Sequence, residues 1–310
     1  MPEPRPQPGR RRLLLAGAAA CGLAASTSLT RWRRGSLHSL LSPPQAMADS
    51  PFTIALGDPR NFDLRAAGAG IERKPVGIHF YKRDWPLDAL GRVRYLQGSH
   101  SFDIPRVSDV MGTSDPGDPE QGIYAWNIGA FAMDGERVPH ALARDRLFAL
   151  FDDILRAGWR RYLMPTEPRL QGQEAIRYSL SKPGGYALDP ALVPSLDQWM
   201  QINLHLPYWQ FWADGVYMTV RVIDEPALRG SKGGGVYMFT IELESEAPYF
   251  WGYFRNVKDM KRWKELIPAK LASYSHLRPR AEAELRSQGY VIDETYRDPP
   301  ILALGQTQPS

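Results

Sequence analysis

Trp209-Gln-Phe-Trp-Ala-Asp214-Gly215-Val216-Tyr217-Met218-Thr-Val220-Arg-Val222 decides the fold of this protein. An Asp-Gly pair between two runs of aromatic and β-branched residues predicts two antiparallel strands joined by a two-residue turn. Twenty residues on, the same words return as Gly235-Val236-Tyr237-Met238-Phe239-Thr-Ile241-Glu-Leu243. Nothing around them repeats, so two neighbouring strands meeting the same sheet environment explain the echo better than a duplication. Tyr249-Phe250-Trp251-Gly252-Tyr253-Phe254 reads as a further strand, giving an antiparallel meander over about 208–255. Arg229 to Gly235 is a glycine-rich connection, and its Lys232 precedes a strand instead of the helix that a phosphate-binding loop requires.

Working outward, Pro139 opens a helix to about Ala157, with Leu147, Leu150, Phe151, Ile154 and Leu155 on one stripe and Gly158 at the stop position. Trp159 to Leu163 reads as a strand leaving it, and Gln173 to Leu180 as a short helix. Ser195 and Gln198 form a capping box that starts another helix with Trp199 and Met200 inward. Asn256 starts one that Pro268 is expected to break, and the last runs from about Pro279 to Arg286 before an extended Tyr290-Val291-Ile292. Toward the N-terminus, Phe52 to Leu56, Val76 to Tyr81 and Tyr124 to Ile128 read as strands, with Ser108 to Gly122 as a Gly, Pro and Asp-rich loop. The class is α+β, with helices mainly on one face of the sheet. Residues 49–310 make one globular body, or two subdomains over 49–135 and 136–310.

Residues 1–48 read differently, as an export leader and linker. Arg10-Arg11-Arg12 leads into the thirteen apolar or small residues Leu13 to Ala25, the length of a signal-peptide core. Cleavage after Ala25 or Ser26 would release a periplasmic protein, and Ala46-Met47-Ala48 offers a second small-x-small site. Retention of the uncharged run Leu13 to Thr30 would anchor the body to the inner membrane, and Cys21 after Ala18-Ala19-Ala20 allows lipidation. A start at Met47 would instead leave the product in the cytoplasm.

The protein has a net charge of +4, but residues 1–48 hold seven arginines and one acid. Of the 38 basic and 34 acidic residues, 31 and 33 remain, so the body is slightly acidic and a nucleic-acid partner is not expected. Arg160-Arg161 and Lys258, Lys261, Arg262 and Lys264 are the local basic clusters, read as solvated faces. Cys21 is the single cysteine, so the body has no disulfide, thiolate nucleophile or cysteine metal site.

No Gly-x-Ser-x-Gly and no His-Glu-x-x-His occurs, and His38, His79, His100, His140, His205 and His276 never fall at ligand spacing. Catalytic residues, a metal and a cofactor are therefore not expected. Adjacent Asp152 and Asp153 point about 100° apart on a helix and cannot act as a dyad. The aromatic concentration from Trp199 to Trp263 falls on both faces of the predicted strands, so at least one face meets something other than water, either the protein's own helices or a partner protein.

Phe151-Asp-Asp-Ile-Leu-Arg-Ala-Gly-Trp-Arg-Arg-Tyr162, Asp197-Gln-Trp-Met200 and Trp212-Ala-Asp-Gly-Val-Tyr217 resemble exported proteins associated with the lipase effectors of bacterial type VI secretion. The leading arginine pair before Leu13 and Leu14 likewise resembles a twin-arginine signal. The first resemblance implies a non-enzymatic binding protein: an immunity protein that blocks its cognate toxin by steric occlusion, or an adaptor that loads it. Trp212, Asp214, Tyr249 and Trp251 are the candidate anchors for that protein partner. The alternative from the residues themselves is an exported hydrolase in which His79 or His205 meets an acid such as Asp84 or Asp103.

Overall fold

A computed structural model describes residues 50–306, apart from 76, 134–136, 182–184 and 225–233. The leader and residues 229–233 of the glycine-rich connection lie outside the described residues. The expected hairpin forms, β8 (Tyr208–Ala213) against β9 (Val216–Asp224), toward one edge of the sheet. Asp214 and Gly215 turn the backbone at φ 43° and 75°, the left-handed pair that matches the twist of the flanking strands. Strand β10 (Tyr237–Ser245) pairs antiparallel along all of β9, and β6 (Ile123–Phe131) pairs antiparallel with β10.

The remaining strands are β1 (Phe52–Ile54), β2 (Ala69–Arg73), β3 (His79–Asp84), β4 (Gly91–Tyr95), β5 (Phe102–Ser114) and β7 (Arg160–Arg161). One sheet of ten strands results, in the order β1-β4-β5-β6-β10-β9-β8-β7, with β3 and β2 branching from β5. The first half of β5 pairs with β4 and its second half with β3. The two halves meet where Arg106 takes φ 57° and the register with β6 slips. The β6–β10 ladder joins strands from either side of residue 135.

The expected loop over 108–122 is therefore strand as far as Ser114. The glycine that suggested a turn, Gly112, lies opposite Trp126, where a Cβ would sit 2.7 Å from the indole ring. It marks a close approach across the ladder instead of a break.

The helices are α1 (His140–Arg156), α2 (Gly172–Ser181), α3 (Leu196–Ile202), α4 (Glu246–Trp251), α5 (Val257–Lys261), α6 (Trp263–Tyr274) and α7 (Leu277–Ser287). In α3 the capping box forms as read: the Ser195 hydroxyl accepts from the Gln198 N–H at 3.2 Å and the Gln198 side chain accepts from the Ser195 N–H at 2.9 Å. Tyr249 to Phe254, expected as the last strand of the meander, begins instead as α4. Pro248 sits in the first turn of that helix, where its missing N–H costs nothing. A continuous aromatic run carries no period of its own, so strand and helix are not distinguished by it. Pro268 does not end α6 but lies inside it. The helix tolerates the lost hydrogen bond because Trp263 and Ile267 are buried, Trp263 stacking on Phe250 at 5.2 Å. Tyr290 to Ile292 joins no ladder; the backbone there is held by Asp293 N–H donating to the Arg169 carbonyl.

Alternation along β8 and β9 sends neighbouring side chains to opposite faces. One face carries Trp209 and Phe211, covered by Phe151 of α1 at 5.1 and 5.3 Å. The other carries Tyr217, whose ring stacks on Tyr249 of α4 at 3.7 Å and 7°. Helices thus lie on both faces at this end of the sheet, and the aromatic excess is consumed by two cores. Removal of each large apolar residue from water stabilises the fold by about 1.5–3 kcal/mol. A third cluster, including Leu170, Tyr178, Tyr186 and Leu285, closes the β7 edge.

Candidate functional site

At the end of the β8–β9 hairpin lies a cleft of about 370 Å³, between the turn, the start of β7 and the C-terminal segment. Its walls are set by local rules. Gly158 ends α1 in the left-handed conformation at φ +86°, and a Cβ there would approach the His100 ring at 3.0 Å. His100 Nδ1–H donates to the Ala157 carbonyl at 2.8 Å, satisfying one of the carbonyls a helix end leaves without a partner. A carbonyl can only accept, so the tautomer is fixed and Nε2 is left as the ring's second polar atom. Trp159 Nε1–H donates to the His100 carbonyl at 2.8 Å and locks the same segment from behind.

The hairpin wall is strapped to the neighbouring lobe by Gln97, whose amide donates to the Ala213 carbonyl at 2.8 Å. Tyr95 O–H, whose phenol is pushed well above its usual range by burial, donates to the Gln97 side-chain oxygen at 3.0 Å and orients that amide. On the third side, Glu246 accepts from the Leu302 and Ala303 N–H groups, both at 2.6 Å, which brings Leu302 to the cleft. Burial pushes the Glu246 carboxyl above its ordinary value, against the opposing pull of those two N–H groups.

Three polar side chains face this cleft without an internal ion pair among the described residues. Arg160 is exposed and lies over Trp212, its cross-strand partner, with the guanidinium carbon 5.2 Å from the ring centre. Asp214 is exposed at the turn. His100 contributes its ring. The Trp212 indole N–H is buried with no acceptor among the described residues.

Of the four residues expected from sequence as partner anchors, Trp212 and Asp214 meet at this cleft and two do not. Tyr249 is 3% exposed, inside the second core, where its O–H donates to Tyr162 at 2.8 Å. Its ring is spent on the protein's own packing. Trp251 is half-buried against Tyr124, ring centres 5.4 Å apart. Trp212 is itself 3% exposed, so it forms a wall of the cleft and not a protruding anchor.

Arg160, His100, Gly158 and Leu302 were not named as site residues from the sequence. Arg160 had a signal in the Arg160-Arg161 pair, but the two separate in space: Arg161 donates to the carbonyls of Leu170 and Ala187 and Arg160 does not. Of the residues in the alternative histidine reading, His79 and Asp84 sit at opposite ends of β3. His79 lies in β3 and His205 beside β8, five strand spacings apart or roughly 24 Å along the sheet. Asp103 is engaged by Arg92 and Arg94. Among the described residues no group of three His, Cys, Asp or Glu residues converges to hold a metal, and no helix is long and apolar enough to cross a membrane.

Comparison of the sequence and fold with protein-family models, with curated proteins and with solved structures finds no match. The fold places the protein in the α+β class, an open and mostly antiparallel sheet with helices packed on it.

Proposed function

We propose that this is an exported binding protein without catalytic activity of its own, and that it acts as an immunity protein by occluding a cognate lipase-type toxin of the type VI system. The observation that carries the reading is the cleft at the β8–β9 turn, where a braced wall presents Arg160 and Asp214 with no ion pair among the described residues. Charges left unpaired at the rim of a rigid site suit recognition of a complementary surface, since they steer encounter and fix register. The basic, apolar leader supports an encounter outside the cytoplasm, in the periplasm or at the inner membrane.

The test is capture with the full-length protein bearing a C-terminal tag, from an envelope extract of its own organism, followed by assay of the captured protein. Recovery of one stoichiometric lipase whose hydrolysis of phospholipid vesicles is suppressed in the complex supports the reading. In that case Arg160→Gln and Asp214→Asn are expected to weaken the complex about tenfold or more each. A partner that stays fully active in the complex points to loading instead of immunity. Ester hydrolysis by the protein alone overturns the non-enzymatic reading.

A further inference from the structure

We propose that the cleft beside Arg160 is a binding site for a single carboxylate, of the kind an Asp or Glu residue or the free C-terminus of a polypeptide supplies. This deepens the binding reading by naming the group that enters the cleft, and it rests on that reading only for the source of the carboxylate.

The neighbouring cations are committed elsewhere. Arg156 pairs with Asp153, and Arg161 donates to the backbone carbonyls of Leu170 and Ala187. The guanidinium of Arg160, between them on the edge strand β7, has no ion pair and no hydrogen bond among the described residues, and instead lies over the indole of Trp212. An arginine held over an aromatic face loses little further freedom on binding and keeps its N–H edge for a planar oxyanion, which it meets with two parallel hydrogen bonds.

Trp212 lines the same cleft; its Nε1–H is buried with no acceptor among the described residues, as are those of Trp199 and Trp209 in the core. The space of about 370 Å³ holds an acidic residue with part of its backbone.

Asp214 sets the selectivity. It lines the cleft with its carboxylate outside any ion pair among the described residues, so it opposes a second negative charge brought in beside the first. A monoanionic carboxylate is therefore favoured over dianionic phosphate, although Arg160 alone would accept either. A lone cation is excluded from the Arg160 end by the guanidinium.

The experiment is a nitrogen–proton NMR titration of the full-length protein with N-acetyl-glutamate N-methylamide, with inorganic phosphate and ethylammonium as comparators. The Trp212 indole resonance is assigned from its loss in Trp212→Phe. The Arg160 Nε–H resonance, assigned from its loss in Arg160→Gln, gives an independent readout should the tryptophan variant fail to fold. A saturable shift of these resonances with the carboxylate probe is expected, weakened about tenfold or more in Arg160→Gln. Phosphate should bind less tightly than the carboxylate probe, and Asp214→Asn should narrow that gap. Absence of a saturable shift, an unchanged response in Arg160→Gln, or tighter binding of ethylammonium overturns the site. Carboxylate binding that leaves partner capture insensitive to Arg160→Gln keeps the site and removes it from the partner interface. Partner capture without carboxylate binding overturns the site and leaves the binding reading standing.

Discussion

Arg169 shows how a single residue of this protein commits its charge. It donates from Nε to Glu282 at 2.8 Å and from Nη2 at 2.7 Å, a bidentate pair, while its backbone N–H reaches the same carboxylate at 3.0 Å. Glu282 is 2% exposed. Burial pushes its carboxyl up, but the Arg169 guanidinium and backbone bonds outweigh burial and hold it below its ordinary value of 4.5. A carboxyl depressed in the folded state contributes stability that is present above its unfolded value and is lost as pH falls through the folded one. Arg169→Met strands the buried carboxylate and is expected to cost about 3 kcal/mol at pH 7, the low end for a broken buried pair, because Arg286 stays 4.0 Å away. Thermal melts of the wild type and the variant from pH 7 to pH 3 should show the difference shrinking once Glu282 is protonated in both. Arg160 is the opposite case, exposed and without an ion pair among the described residues. No sequence window separates these two arginines, because the acid that neutralises the first lies more than a hundred residues away.

At the scale of elements, α4 is where sequence pattern and structure part. The residues from Tyr249 to Phe254 have the composition of a strand, yet Glu246–Trp251 is helical. The decisive contact is the Tyr217–Tyr249 stack, which presses α4 on the outer face of β9. Tyr249→Ala is expected to cost about 3–5 kcal/mol, and Tyr249→Phe only about 1 kcal/mol for the hydrogen bond to Tyr162. Chemical denaturation of the two variants checks the ratio. Equal losses would mean that the hydroxyl pair, and not the stacked ring, holds the helix. Elements whose signals are local were legible: the Asp214-Gly215 turn, the Ser195 capping box, and α1 with its apolar stripe and Gly158 stop. Pro268 was misread because a proline's local effect is to break a helix, whereas the burial of Trp263 and Ile267 overrides it.

For the whole molecule, the ten-stranded sheet carries the β6–β10 ladder across residue 135, so strands from both halves of the body share backbone hydrogen bonds. A single cooperative transition is expected when unfolding is followed in parallel by far-ultraviolet circular dichroism and by tryptophan fluorescence. Two separated transitions would instead mark residues 49–135 and 136–310 as independent subdomains. By itself the sequence determined the α+β class, the β8–β9 hairpin with its turn, most helix positions and the basic, apolar leader pattern. Each of these follows from residues within one turn or one strand of each other. Only the tertiary structure decided that Gly112 belongs to a strand, that Tyr249 is spent on the core, and that His100, Arg160 and Asp214 line one cleft. These outcomes depend on which surfaces meet across the sheet. The physical reason is that hydrophobic periodicity and turn chemistry act between neighbours in sequence, whereas burial and charge pairing act between segments whose separation in sequence carries no signal.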